Sequence, residues 1–140
     1  IINKLGLISF DYSRKDYSKM EFRTSDEFED SHFSDLNWAI YNNLTVANSY
    51  KIGAEIRSNS MSYRAGYRID GSPYRNTDYY SDRKGFSLGI GYKFKSSTID
   101  LSFEKYNKQY NHQLYDAGLT NQAAVDNNNT IIKLSITSIM

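Results

Sequence analysis

The 140-residue chain has no cysteine. Disulfide frameworks, thiolate metal sites and cysteine nucleophiles are therefore excluded. Histidine is scarce: His32 and His112 are too few for a His-rich metal centre, and neither lies in a Ser-His-Asp context. No run approaches the ~18 consecutive apolar residues that mark a transmembrane helix, and mean hydropathy is −0.66. No charged stretch followed by an apolar core marks a signal peptide, so a leader was removed or the chain is a piece of something longer. Neither charge is in excess. The 17 Lys+Arg against 16 Asp+Glu leave a formal charge of +1, which argues against a nucleic-acid partner.

What is abundant is tyrosine, at 13 residues, with seven Phe and a single Pro. Such a composition favours β-structure. Six segments alternate with period two. In the clearest, Phe86, Leu88, Ile90, Tyr92 and Phe94 share one face, opposite Ser87, Gly89, Gly91 and Lys93. Elsewhere Met61, Tyr63, Ala65, Tyr67 and Ile69 oppose Ser62, Arg64, Gly66 and Arg68, and Tyr50, Ile52, Ala54 and Ile56 oppose Lys51, Gly53, Glu55 and Arg57. Ile99, Leu101 and Phe103 oppose Asp100, Ser102 and Glu104. Ile8, Phe10 and Tyr12 oppose Ser9, Asp11 and Ser13; Ile132, Leu134 and Ile136 oppose Lys133, Ser135 and Thr137. Strands are expected at about 5–22, 46–58, 60–71, 85–95, 98–110 and 130–140.

The apolar faces so defined carry no charge. The opposite faces carry Asp11, Lys51, Glu55, Arg57, Arg64, Arg68, Lys93, Asp100, Glu104 and Lys133. Connections alternate too. Those near residues 58–60 and 95–97 are short; those at about 23–45, 71–84 and 111–129 are long and polar. Segregated faces with short turns on one side and long loops on the other are the pattern of an outer-membrane β-barrel. The expected fold is all-β, a portion of an antiparallel transmembrane barrel, with residues 1–140 as one segment and the C-terminus periplasmic. Tyr63, Tyr67, Phe86, Leu88, Ile90, Tyr92, Leu101, Phe103, Leu134 and Ile136 are expected to face lipid. Six strands fall short of the usual minimum of about eight for closure, so further strands or other outer-membrane subunits are expected to complete the wall. The rival is a soluble β-sandwich of adhesin or lectin type, which explains the alternation but not the alternating connection lengths.

The segment 62–74, with Arg64, Gly66, Asp70, Ser72 and Pro73, resembles the R-x-G-x-x-x-D-x-S-P stretch of the FadL/TodX family of outer-membrane transporters for hydrophobic compounds. Residues 86–92 and 99–103 look like that family's next two strands, and residues 7–20 and 52–57 resemble its Bacteroidota members. The resemblance implies the last six strands of a 14-stranded barrel and passive uptake of fatty acids or other hydrophobic molecules in a bacterial outer membrane. Outer-membrane proteins usually end in an aromatic residue, whereas Met140 stands here. Relatives also serve as non-transporting subunits of larger machines, so transport does not follow from fold.

The ten inward charges read as a salt-bridge lattice, or as a polar path in which Arg pairs with carboxylates. Asp26, Glu27, Glu29, Asp30 and Asp35 lack EF-hand spacing and read as a solvated acidic loop before a cation site. Residues 34–44 read as a short helix capped by Ser34 or Asp35, with Leu36, Ile40 and Leu44 in one stripe. Phe33, Leu36, Trp38 and Ile40 are the candidate surface site for capturing hydrophobic ligand, or else the packing of that loop onto the rim. The inward glycines 53, 66, 89 and 91 read as a stripe that permits curvature. No catalytic residue, metal or cofactor is expected.

Overall fold

A computed structural model describes residues 6–25, 27–76, 80–112 and 122–138, with backbone alone at 27–31. The chain is all-β with one α-helix. The strands are β1 (Gly6–Asp16), β2 (Val46–Ser58), β3 (Met61–Asp70), β4 (Arg83–Lys93), β5 (Ser97–His112) and β6 (Ala123–Ser138). They form one antiparallel sheet in the order β1-β2-β3-β4-β5-β6, each strand pairing with the next in sequence. Among the described residues β1 and β6 are its two edges. The helix α1 (Glu27–Asn43) follows a 3-10 turn at Tyr17–Lys19.

The sheet follows from the period-two pattern. The register aligns Ile8, Ala54, Ala65, Leu88, Phe103 and Ile132 in one continuous row across all six strands. A slip of one residue would send each apolar set to the charged side, so the pattern itself fixes the pairing. Two connections are tight. Asn59 and Ser60 join β2 to β3, with Asn59 at φ 53°, a left-handed conformation that Asn tolerates better than most residues. Phe94 N–H donates to Ser97 C=O (2.7 Å) in the turn between β4 and β5.

Three boundaries differ from the sequence expectation. The first strand ends at Asp16 rather than near residue 22. There Ser18 hydroxyl donates to the Asp16 carboxylate (2.6 Å), and Lys19 lies 3.4 Å from it. These local bonds compete with continued pairing. The helix starts at Glu27, not Ser34. Its first turn is acidic in sequence, as a helix N-terminus favours, so Ser34 and Asp35 are interior residues rather than caps. Leu44 lies past its end, bridged to Tyr74. The last strand begins at Ala123 rather than Thr130 because β5 runs on to His112 and pairs with it throughout. Asn107 side-chain amide bonds to Asp126 and Asn128 across this extension, replacing the apolar pairs the pattern search relied on. The third long connection shrinks to residues 113–122 accordingly.

The described residues have no core of their own. Ala47 is the single buried hydrophobic side chain among the described residues. The exposed area is 11124 Å², about half again the ~7,500 Å² that the monomer scaling gives for 16.2 kDa. The contacts of α1 with other elements concentrate on the 3-10 turn, not on either face of the sheet.

Candidate functional site

Part of the charged face is better covered than the apolar face. On the charged face the Glu55 side chain is 18 % exposed and Asp100 26 %. On the apolar face Leu88 is 53 % exposed and Ile136 70 %. Of the ten residues expected on the apolar side, Tyr63, Tyr67, Phe86, Leu88, Ile90, Tyr92, Leu101, Leu134 and Ile136 are exposed and Phe103 half-exposed. Isolated exposed Leu is ordinary in proteins; a continuous apolar sheet face is not. That face is not wholly free of charge. The longer register brings Lys84 and Lys105 onto it at the loop end, opposite Asn107 and Phe86 respectively.

Eight of the ten charges expected on the other face make ion pairs there, and the register shows how these are assembled. Glu55 on β2 accepts from Arg64 Nε on β3 (3.1 Å) and from Arg57 Nε (2.5 Å). Arg64 also donates through Nη1 to Asp100 on β5 (2.6 Å). Arg64 must pass over β4 to do so, and its register partner there is Gly89. A Cβ at Gly89 would lie 3.4 Å from Arg64 Cβ and 3.8 Å from its Cδ. Arg68 makes the parallel crossing to Glu104 (3.5 Å), with Gly85 as its partner on β4. Gly89 is therefore a gap through which Arg64 on β3 reaches Asp100 on β5. The glycines 53, 66, 89 and 91 do not form one stripe: Gly53 and Gly66 are paired, but Gly66 faces Ser87, and Gly91 faces Ser62.

Asp11 and Lys51 pair at 3.4 Å. Nearer the loops, Asp70 accepts from Arg83 Nε (3.0 Å) and Nη2 (2.7 Å). Arg68 Nε sits 3.4 Å from the same carboxylate, an ion-pair distance without hydrogen-bond geometry. Arg68 and Arg83 both lie over the Tyr106 ring, at 5.9 and 5.3 Å from its centroid. Neither stands out in the sequence: Arg83 precedes the strand expected at 85–95, and Tyr106 is an aromatic residue on the charged face. Lys93 and Lys133, counted in the lattice from sequence, make no ion pair among the described residues. Between these groups lies a hollow of about 430 Å³ lined by Ser9, Lys51, Glu55, Arg64, Arg68 and Glu104 among others.

The segment carrying Arg64, Gly66, Asp70, Ser72 and Pro73 has local structural work. Ser72 N–H donates to Asp82 (2.9 Å), and Pro73 C=O accepts from Thr45 N–H (2.8 Å). Arg75 then closes the C-terminus of α1, donating to the Leu44 and Tyr41 carbonyls (both 3.1 Å) and lying over the Tyr41 ring. A cation on the last carbonyls complements the helix dipole.

The four candidate capture residues do not form one patch. At ~100° per helical residue, Phe33, Leu36 and Ile40 share a side, and Trp38 lies on the opposite one. Phe33 stacks on Phe22 (5.8 Å), whose backbone N–H and C=O both bond the Asn37 amide (2.7 and 2.9 Å). Trp38 is exposed. The side chains of Asp26, Glu27, Glu29 and Asp30 lie outside the described residues. Among the described residues no group of His, Asp and Glu has the arrangement of a metal site.

No protein-family model matches the chain, and neither a curated protein nor a solved structure does.

Proposed function

We propose that this chain is a six-stranded part of the wall of a bacterial outer-membrane β-barrel, with its apolar face in lipid and its charged face toward the lumen. The observation that carries the reading is an uncovered face of large apolar side chains opposite charges that line a hollow. Dimensions agree. From Phe86 on β4 to Phe94, one residue past its end, the apolar row runs eight residue steps, about 27 Å along the chain and ~21 Å after a 40° tilt, before side-chain width is added, against a lipid-facing band of ~25 Å. The unpaired edges of β1 and β6 cannot remain open in lipid, so further strands must pair with them. A soluble sandwich needs a second layer over the apolar face, and none is present among the described residues.

Within that class the resemblance of residues 62–74 to the FadL/TodX segment supports passive uptake of hydrophobic small molecules. The stripe of Phe33, Leu36 and Ile40 with Phe22 is then the outer capture surface. A second reading, a non-transporting barrel subunit of a larger complex, is favoured by how fully the lumen-side carboxylates are paired with arginine and lysine. Saturable binding of a labelled long-chain fatty acid by the full-length protein separates the two. Uptake expects binding that weakens on Leu36→Ser; no binding by the folded protein assigns the subunit role. A full-length protein that stays folded and monodisperse without detergent would overturn both.

A further inference from the structure

We propose that Lys84 and Lys105 form a paired site for the phosphate of an anionic membrane lipid, an inference that rests on the lipid-facing reading of the apolar face. Lys84 pairs in register with Asn107, and Lys105 with Phe86. The two lysines are thus diagonal neighbours on one face, with Cβ atoms about 7–8 Å apart, within reach of one phosphate on their flexible stems.

No described acid pairs with them: Asp82, two residues before Lys84, accepts from Ser72 N–H instead. Among the described residues neither ammonium makes an ion pair, and their neighbours in register on this face are Ile69, Phe86, Asn107 and Thr130. The nearest acid on this face of β5 and β6, Asp126, lies a row further out and accepts from Asn107. On the charged face, by contrast, Asp11, Glu55, Asp70, Asp100 and Glu104 all have cationic partners. Two like charges held side by side without an acid favour an anion from outside the chain. The position selects which anion. Below the lysines Phe86 and Phe103 pack ring to ring at 5.9 Å and begin the apolar band. Above them Asn107 and Asn128 begin a carboxamide surface. Lysine stems lie along apolar surface and lift their heads to its edge. A ligand with acyl chains below and a phosphate at the boundary meets both surroundings; inorganic phosphate meets only the upper one.

The test uses the full-length protein in phosphatidylcholine vesicles containing phosphatidylglycerol. Selectivity for phosphatidylglycerol over phosphatidylcholine is read from spin-labelled analogues of each. A basic residue at an anionic surface contributes about fivefold. Lys84→Gln and Lys105→Gln are each expected to cut selectivity about fivefold and the double variant roughly twenty-five-fold. The double arginine variant should retain it. Lys95→Gln, at the short-turn end, should leave it unchanged. Equal selectivity in the double Gln variant, or an equal loss in Lys95→Gln, would overturn the site. Displacement of phosphatidylglycerol by inorganic phosphate at matched ionic strength would reassign it to free phosphate. Failure to enter vesicles would overturn the membrane reading as well, whereas entry without lipid selectivity would overturn this inference alone.

Discussion

Replacing Leu88 with Arg separates the membrane account from any water-facing one. Leu88 sits near the centre of the apolar band, flanked in register by Ala65 and Phe103, and is 53 % exposed. On a sheet facing water, a change at such a site stays within about ±0.5 kcal/mol. In a bilayer, an Arg near the midplane costs ~2–4 kcal/mol and one near the interface ~0–1 kcal/mol. The midplane cost is a factor of roughly 30 to 800 in the folded-to-unfolded ratio. The same substitution at Ile90 should match it, and at Phe94, beside the short turn, should cost little. The assay is equilibrium urea unfolding of the full-length protein in lipid vesicles, read by far-UV circular dichroism. The expected result is a cost that peaks at 88 and 90 and falls toward 94. A flat profile would refute the reasoning, whatever the absolute stability.

Gly89→Val should obstruct the path of Arg64 to Asp100, since even a Cβ there would stand 3.4 Å from Arg64 Cβ. Because Arg64 is 43 % exposed, the lost pair is worth no more than about 1 kcal/mol; a double-mutant cycle with Asp100→Asn checks this, and a coupling near zero would dissociate the glycine from the bridge. Arg75→Ala removes both bonds to the end of α1. It should cost about 1–2 kcal/mol locally and raise protease cleavage between residues 20 and 45 without moving the unfolding midpoint of the sheet.

Much of the fold was legible because a half-buried strand writes its two environments into alternate residues. The six strands, their sides and the tight turn at Asn59 follow from that alone. What stayed hidden lacks the signal. The outer half of the β5–β6 hairpin is held by Asn107, Asp126 and Asn128 rather than by apolar pairs, so residues 123–129 read as loop. The N-terminal part of α1 is acidic and weakly patterned, so it also read as loop. The ion-pair lattice was foreseen as a set of charges, but not its crossings. That Arg64 and Arg68 bridge over β4 depends on register, which places Gly89 and Gly85 beneath them. Lys84 and Lys105 were missed as a pair for the same reason: 21 positions separate them in sequence, and only the pairing of β4 with β5 brings them together.

The most direct measurement is oxygen and water accessibility of single spin labels along β4 in vesicles of the full-length protein. This chain has no cysteine of its own to interfere. The account expects strict alternation: labels at 86, 88, 90 and 92 reached by membrane-dissolved oxygen, labels at 87, 89 and 91 reached by a water-soluble nickel chelate. Uniform access of the chelate to both sets, or alternation of the opposite phase, would contradict the claim that the apolar face of this sheet lies in lipid.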